Sequence, residues 1–168
     1  MAEYINVEKP FLDKLRQLGW QVIDQGIGVP QDPAKSLREH FKQVLLPQVF
    51  KDTVKSINKT ADGREWLTER QLEELLTEIQ SFSGKTLHEA NKEIHRLLIK
   101  GTTVNKNELT GEVNPTVRLV DFKNYEKNRF IAINQFRLFT LGASRQGIIP
   151  DIVLFLNGLP LVVVEAED

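Results

Sequence analysis

The twenty residues "IPDIVLFLNGLPLVVVEAED", 149 to 168, decide how this chain is read, because two apolar runs rich in β-branched side chains flank the turn signature Asn157-Gly158. Such a pair predicts an antiparallel hairpin. With Asn157, Gly158 and Leu159 as a three-residue turn, Leu156 faces Pro160 and the register sets Asp151 opposite Glu165. Period-two alternation puts Glu165 and Glu167 on one strand face, so three carboxylates meet at the open end of the hairpin. The inference is register-sensitive, since a slip of one residue turns Asp151 to the other face. Two explanations stand at this point. The acids are solvated strand ends, or they are hard oxygen donors for Mg2+ or Mn2+, which relieve mutual repulsion, polarise a phosphoryl oxygen and lower the pKa of water.

Working outward, "TVRLVDF" (116–122) and "RFIAINQFRLF" (129–139) carry the same β-branched and aromatic alternation, so the second half of the chain reads as strands. The first half reads as helices. Residues 6 to about 18 place Phe11, Leu15 and Leu18 at helical spacing, with Leu12 widening the face and Gly19 as terminator. Glu8 precedes Phe11, Leu12 and Leu15 by three, four and seven residues and so lies on the same side as these apolar residues; it is also explained as a helix-terminal charge. A short strand at 20–24 leads into a Gly/Pro-rich loop, and "SLREHFKQVLLPQVFKDTVKSINK" predicts one helix, or two broken at Pro47. "REWLTERQLEELLTEIQSF" and "KTLHEANKEIHRLLIKG" predict two amphipathic helices joined near Gly84 and ended by Gly101. The fold class is therefore α/β, helices around a sheet.

Composition narrows the chemistry. With 168 residues, 40% hydrophobic and 27% charged, the chain has material for a substantial core, and there is no apolar run of membrane-spanning length and no leader, so a cytoplasmic setting without membrane attachment is expected. It contains no cysteine, which excludes disulfides, thiolate metal sites and a thiol nucleophile. A net charge of −1 excludes a strongly basic DNA-coating module without excluding a local basic surface. His88 and His95 are seven residues apart on one helix, too far for easy chelation, which favours surface roles. No GxxxxGK[ST] phosphate loop is present, so this chain carries no recognisable ATP site.

Pro150-Asp151, a 13-residue interval and Glu165-Ala166-Glu167 resemble the PD-(D/E)xK nuclease core. The ordered series "EKPFLDKLRQLGW", "LTERQLEELL", "LHEANKEIHRLLIKG", "VRLVDF", "FIAINQFRL" and "IPDIVLFLNGLPLVVVEAED" resembles, over most of the chain, the amino-terminal region of the restriction (HsdR) subunit of type I restriction-modification enzymes. The resemblance implies a restriction-endonuclease-like mixed sheet flanked by helices over 1–168, with an inserted mainly helical segment at about 35–100 and a further covering helix beyond the last strand, so the domain is expected to be incomplete at its C-terminus. It implies Asp151 and Glu165 as ligands to Mg2+ or Mn2+, supported by Glu8, and phosphodiester hydrolysis as the reaction, with Asp151, Glu165 and Glu167 as the catalytic set. The pattern departs at Glu167, where the family normally has a lysine that orients water and stabilises developing negative charge. That glutamate serves as a further ligand or base, or it disables cleavage, which leaves a non-cleaving DNA-binding or subunit-assembly module as the alternative.

The resemblance also implies partners: double-stranded DNA, the methylation and specificity subunits, and ATP only through motor domains that this chain lacks. Lys123, Lys127, Arg129, Arg137 and Arg145, interleaved with Tyr125 and Phe130, are the candidate phosphate contacts, although each is also explained as a solvated loop or strand-edge charge. Asn134 and Gln135 are candidate hydrogen-bond donors near the sheet end, or polar groups of a buried strand.

Overall fold

The computed structural model describes residues 3–81, 84–139 and 147–166. They divide into two compact units, Met1–Phe50 together with Arg129–Asp168, and Lys51–Asn128. The first unit opens with a π-helical turn, Tyr4–Glu8, that runs into helix α1, Lys9–Gln17. Its buried stripe is Glu8, Leu12 and Leu15. Phe11 and Leu18, expected on the core side, are instead 37% and 65% exposed. Phe11 stands about 100° around the helix from Leu12, and Leu18 is the C-cap residue, where the chain turns away through Gly19.

Strand β1 (Gln21–Ile23) follows, and then, after Asp32 caps a 3-10 turn at Pro33–Ser36, no helix forms until α2 (Pro47–Ile57). A helix across 36–46 broken at Pro47 is therefore corrected. Proline opens the helix because its missing N–H falls at a position that needs no intrahelical partner. The second unit holds the rest of α2 with α3 (Glu69–Gln80) and α4 (Leu87–Lys100), whose starts are fixed by full capping boxes at Thr68/Gln71 and Thr86/Glu89. It also holds the antiparallel pair β2 (Thr102–Thr103) and β3 (Thr116–Val117). The strand expected over 116–122 stops after two residues. The Arg118 backbone turns to the side chain of Asn58, which both accepts from its N–H and donates to its C=O at 2.8 Å.

The sheet of the first unit is mixed, in the order β1-β4-β5-β6, with β4 at Phe130–Asn134, β5 at Ile152–Leu156 and β6 at Leu159–Val164. β1 runs parallel to β4, and the other two pairings are antiparallel. This is a mixed α/β fold of the restriction-endonuclease-like kind. Alternation divides the sheet into two cores: Leu12 and Leu15 cover Ala132 and Ile152 on one face, while Leu46 and Val49 cover Ile131, Ile133, Phe136, Val153 and Phe155 on the other. No described helix is long and apolar enough to cross a membrane.

The hairpin turn is shorter than expected. Asn157 (φ 53) and Gly158 (φ 82) form a two-residue turn with both central residues at positive φ, and Leu156 pairs Leu159. Phe155 then pairs Pro160, and an irregularity inserts Leu161, so that Leu154 pairs Val162 and Ile152 pairs Val164. The bulge restores the register that a three-residue turn would have given. Carried one pair beyond Ile152 and Val164, it sets Asp151 across from Glu165. Pro160 sits in the edge strand, where a missing N–H is tolerated, and a bulge beside it is a common edge device.

Candidate metal centre

The end of β4 assembles the site. Gln135 stands at φ 49, a left-handed conformation that costs a non-glycine residue about 1 kcal/mol or more. It is held there from several directions. Its N–H donates to the Asp151 carbonyl at 2.7 Å and the next N–H, of Phe136, donates to Pro150 O at 3.0 Å, which ties this corner to the entrance of β5. Gln25 clamps the other side: its N–H donates to Asn134 Oδ1 at 2.6 Å, and its Nε2 donates to the carbonyls of Asn134 and Gln135 at 2.7 and 3.1 Å. Asn134, fully buried, donates in turn to Gly26 O at 3.3 Å. So oriented, the Gln135 amide donates to both oxygens of Glu8, each at 3.3 Å.

Glu8 is 3% exposed and has no cationic side-chain partner among the described residues. Burial pushes its carboxyl above the ordinary glutamate range; the amides of Gln135 and Asn134 pull the other way, and the negative charges of Asp151 and Glu3 push it up further. Asp151 is half-buried, and its Oδ2 accepts the Ala166 N–H at 2.7 Å, fastening the start of β5 to the residue that follows Glu165. Glu165 is exposed just past β6. Glu8 and Asp151, 143 positions apart in the sequence, are thus tied through Gln135 to one end of the sheet. Among the described residues no three Asp, Glu or His side chains form a set able to hold a metal ion, so Glu165 does not close a three-acid shell with them. Glu167 lies outside the described residues.

The donors present nevertheless fit Mg2+ or Mn2+. They are hard oxygens, and Glu8 is a buried carboxylate whose electrostatic neighbours are acids, an arrangement that a divalent cation relieves.

The candidate phosphate contacts have different surroundings. Lys123 and Lys127 are exposed in the second unit. Arg129 donates to Gln21 Oε1 at 3.0 Å. Arg137 donates to Pro30 O at 2.9 Å and stacks over the rings of Phe139 and Phe41, at 4.8 and 5.1 Å, so it is engaged within the fold. Arg145 lies outside the described residues.

Gln25 and Arg38 were not singled out by sequence. Arg38 is 4% exposed, with its guanidinium 3.6 Å from the ring centre of Phe136 and bonded to Ser36 Oγ and Gln43 O, each at 3.0 Å. Burial pushes its pKa down to about 10, so it stays charged at neutral pH and backs the segment that follows Gln135. Nothing in the periodicity marks either residue, because both act from irregular loops.

The chain is 28% identical over 163 residues to the type I restriction enzyme HindI endonuclease subunit of Haemophilus influenzae, a match covering 97% of this chain and 15% of that protein. It is 27% identical over 162 residues to the type I restriction enzyme MjaIXP endonuclease subunit of Methanocaldococcus jannaschii, covering 95% of this chain and 14% of that protein. It therefore spans about a seventh of the length of these relatives. With residues 2–168 matching the family model, the chain belongs to the type I restriction enzyme R protein N terminus family.

Proposed function

We propose that this chain is a divalent-metal-dependent nuclease module that hydrolyses DNA phosphodiester bonds within a cytoplasmic type I restriction-modification assembly. Duplex DNA is its substrate, and methylation and specificity subunits are its partners. ATP is used only by motor domains outside this chain. The observation that carries the reading is the juxtaposition of Glu8 and Asp151 at the sheet end, in a chain of this family.

In this reading Glu8 and Asp151 would hold the ion, and Glu165, exposed on the facing strand and outside any three-acid set among the described residues, would have to swing inward to join them. Gln135 holds the Glu8 carboxylate by its amide, and the Ala166 N–H fixes the Asp151 carboxylate. Mg2+ or Mn2+, when bound, supplies Lewis-acid polarisation of a phosphoryl oxygen and acidifies water. Glu167 stands where the resembled pattern has lysine, so this position can accept a proton from water but cannot place positive charge on the phosphoryl group. Lys123, Lys127, Arg129 and Arg145 are the proposed phosphate contacts. Arg137 serves the fold first.

Glu167 also favours a second reading, a module that holds DNA or its partner subunits without cutting. Plasmid nicking by the assembled enzyme with Mg2+ or Mn2+ separates the two. Nicking that disappears in Asp151→Ala supports the nuclease. DNA retained without nicking, with cleavage gained in Glu167→Lys, supports the second reading.

A further inference from the structure

We infer that the arch Asp121–Asn128, in the unit that does not hold the candidate metal centre, is a binding platform for single-stranded DNA, stacking unpaired bases on Phe122 and Tyr125.

The arch is built at both feet. Asp121 and Asn128 are buried, and Asp121 Oδ1 accepts the N–H groups of Lys123 and Asn124, each at 3.0 Å. Asn128 Oδ1 accepts the Asp121 N–H at 2.9 Å, and its Nδ2 donates to the carbonyls of Asp121 and Tyr125 at 2.8 and 3.0 Å. Between these feet Phe122 is 67% exposed and Tyr125 73% exposed. A loop fixed by its own polar groups gains nothing from two large aromatic side chains held in water, whereas a ligand finds the backbone that carries them already fixed and has only the rings themselves to order.

Charge selects the ligand. The Asp121 carboxylate is consumed by the turn, which leaves Lys123 and Lys127 against Glu126 as the charges of the exposed span. Lysine is depleted from protein-protein interface cores, whereas cations interleaved with aromatic faces are what single strands meet. Duplex DNA hides its base faces, so the two rings would add nothing to a duplex contact.

A second observation lies beside the arch. The same unit has an open cleft of about 700 Å3 whose lining carries Lys59, Lys100 and Arg118 against one acid, Glu112. Lys100 and Arg118 have no ion-pair partner among the described residues. Arg118 is three residues ahead of Asp121, a separation that the chain spans in at most about 11 Å. A strand whose bases stack on the arch therefore has a cationic track for its phosphates within about two nucleotides.

The test is fluorescence anisotropy of labelled oligothymidylate, duplex DNA and oligouridylate of equal length with the intact chain. The double variant Phe122→Ala/Tyr125→Ala should lose at least roughly tenfold in affinity for the DNA single strand and change less than twofold for duplex. Phe122→Trp/Tyr125→Trp should keep single-strand binding, and circular dichroism should show both variants folded. Removing Lys123 and Lys127 together should lower the salt slope by about 1.4, at roughly 0.7 for each single-strand phosphate contact. Unchanged affinity in the double alanine variant, no preference of the wild type for single strands over duplex, binding of oligouridylate alone, or aromatic-dependent capture of a partner subunit without any nucleic-acid binding would each overturn the inference. These readouts are independent of nicking, so failure of the nuclease reading leaves this one standing.

Discussion

Gly158→Ala tests the framework that brings Asp151 to the site. Gly158 sits at φ +82, and an added Cβ would fall 2.6 Å from Leu46 O and 2.8 Å from Phe50 N, both backbone atoms that cannot rotate away. The Gly158 carbonyl also accepts the Leu46 N–H at 2.9 Å, the bond that seats the turn against the start of α2. Three costs add: about 1 kcal/mol for alanine at positive φ, about 1 kcal/mol for the strained hydrogen bond, and about 2 kcal/mol for steric displacement in a packed region. The expected loss is about 4 kcal/mol, a large part of the stability of an ordinary domain. Gly19→Ala is the internal control, because Gly19 has φ +87 with nothing within 4 Å of the added carbon, so it should lose only the conformational part, about 1 kcal/mol. Urea unfolding measures both, with the midpoint for Gly158→Ala shifted by roughly 2 M. Equal losses in the two variants would refute the close seating of the turn on α2.

Four further outcomes follow from the same contacts. Glu8→Gln should stabilise the metal-free protein at pH 7 by about 1 kcal/mol while abolishing Mn2+ binding. The raised Glu8 carboxyl contributes stability fully below the ordinary glutamate range and loses it as pH rises through its folded value, so the wild-type minus variant difference should fall with rising pH; a flat difference in thermal melts refutes this. Asp121→Asn should act in the opposite sense. Its carboxyl is held down by N–H donors, first that of Asn124, so it contributes stability above the ordinary aspartate range and loses it as pH falls through its depressed value, and the variant should cost about 1–2 kcal/mol at pH 7, measured by the same melts. Gln135→Gly should leave the thermal midpoint near that of the wild type, since relief of positive φ offsets the lost bonds, yet weaken Mn2+ binding at least tenfold by electron paramagnetic resonance. Arg38→Ala should cost about 3 kcal/mol in urea unfolding, whereas Arg38→Met, which refills the space over Phe136, should cost about 1 kcal/mol.

The hairpin was legible because β-branched runs around Asn-Gly allow few structures, and its far register survives because two departures cancel: a turn one residue shorter and a bulge one residue longer. The shorter turn has its own signal in Asn157-Gly158, the pair favoured in two-residue hairpin turns, whereas the bulge has none beyond Pro160 at the edge. The first helix was legible as a helix but not in its exact face, since Phe11 and Leu12 are adjacent apolar residues and only packing decides between them. Helix starts are readable where Thr68 and Thr86 supply capping boxes and at Pro47, where the expected break falls, but the helix expected ahead of Pro47 does not form. Glu8 and Asp151 could be named from the sequence. What fixes them could not, because the left-handed turn at Gln135 and the Gln25 clamp arise from long-range pairing that local propensity does not encode.

Two buried acids in this chain show why Glu8 reads as a site and not as structure. Asp121, 5% exposed, is surrounded by backbone N–H donors at 3.0 Å and an asparagine amide, and its carboxyl is held below the usual range: folding has used its charge to close a turn. Glu8, 3% exposed, receives side-chain amides alone, that of Gln135 at 3.3 Å to each oxygen and that of Asn134, feels the charge of Asp151, and is pushed above the usual range by burial. A carboxylate kept for stability would show the first environment, since an under-satisfied buried charge costs several kcal/mol. The second environment costs stability in the free protein and is repaid only by something that brings positive charge to the pair. The strained Gln135 adds to that cost in the same place. Two unfavourable features meeting where β4 hands over to β5 are coherent if that corner is shaped for a cation, and have no structural purpose otherwise.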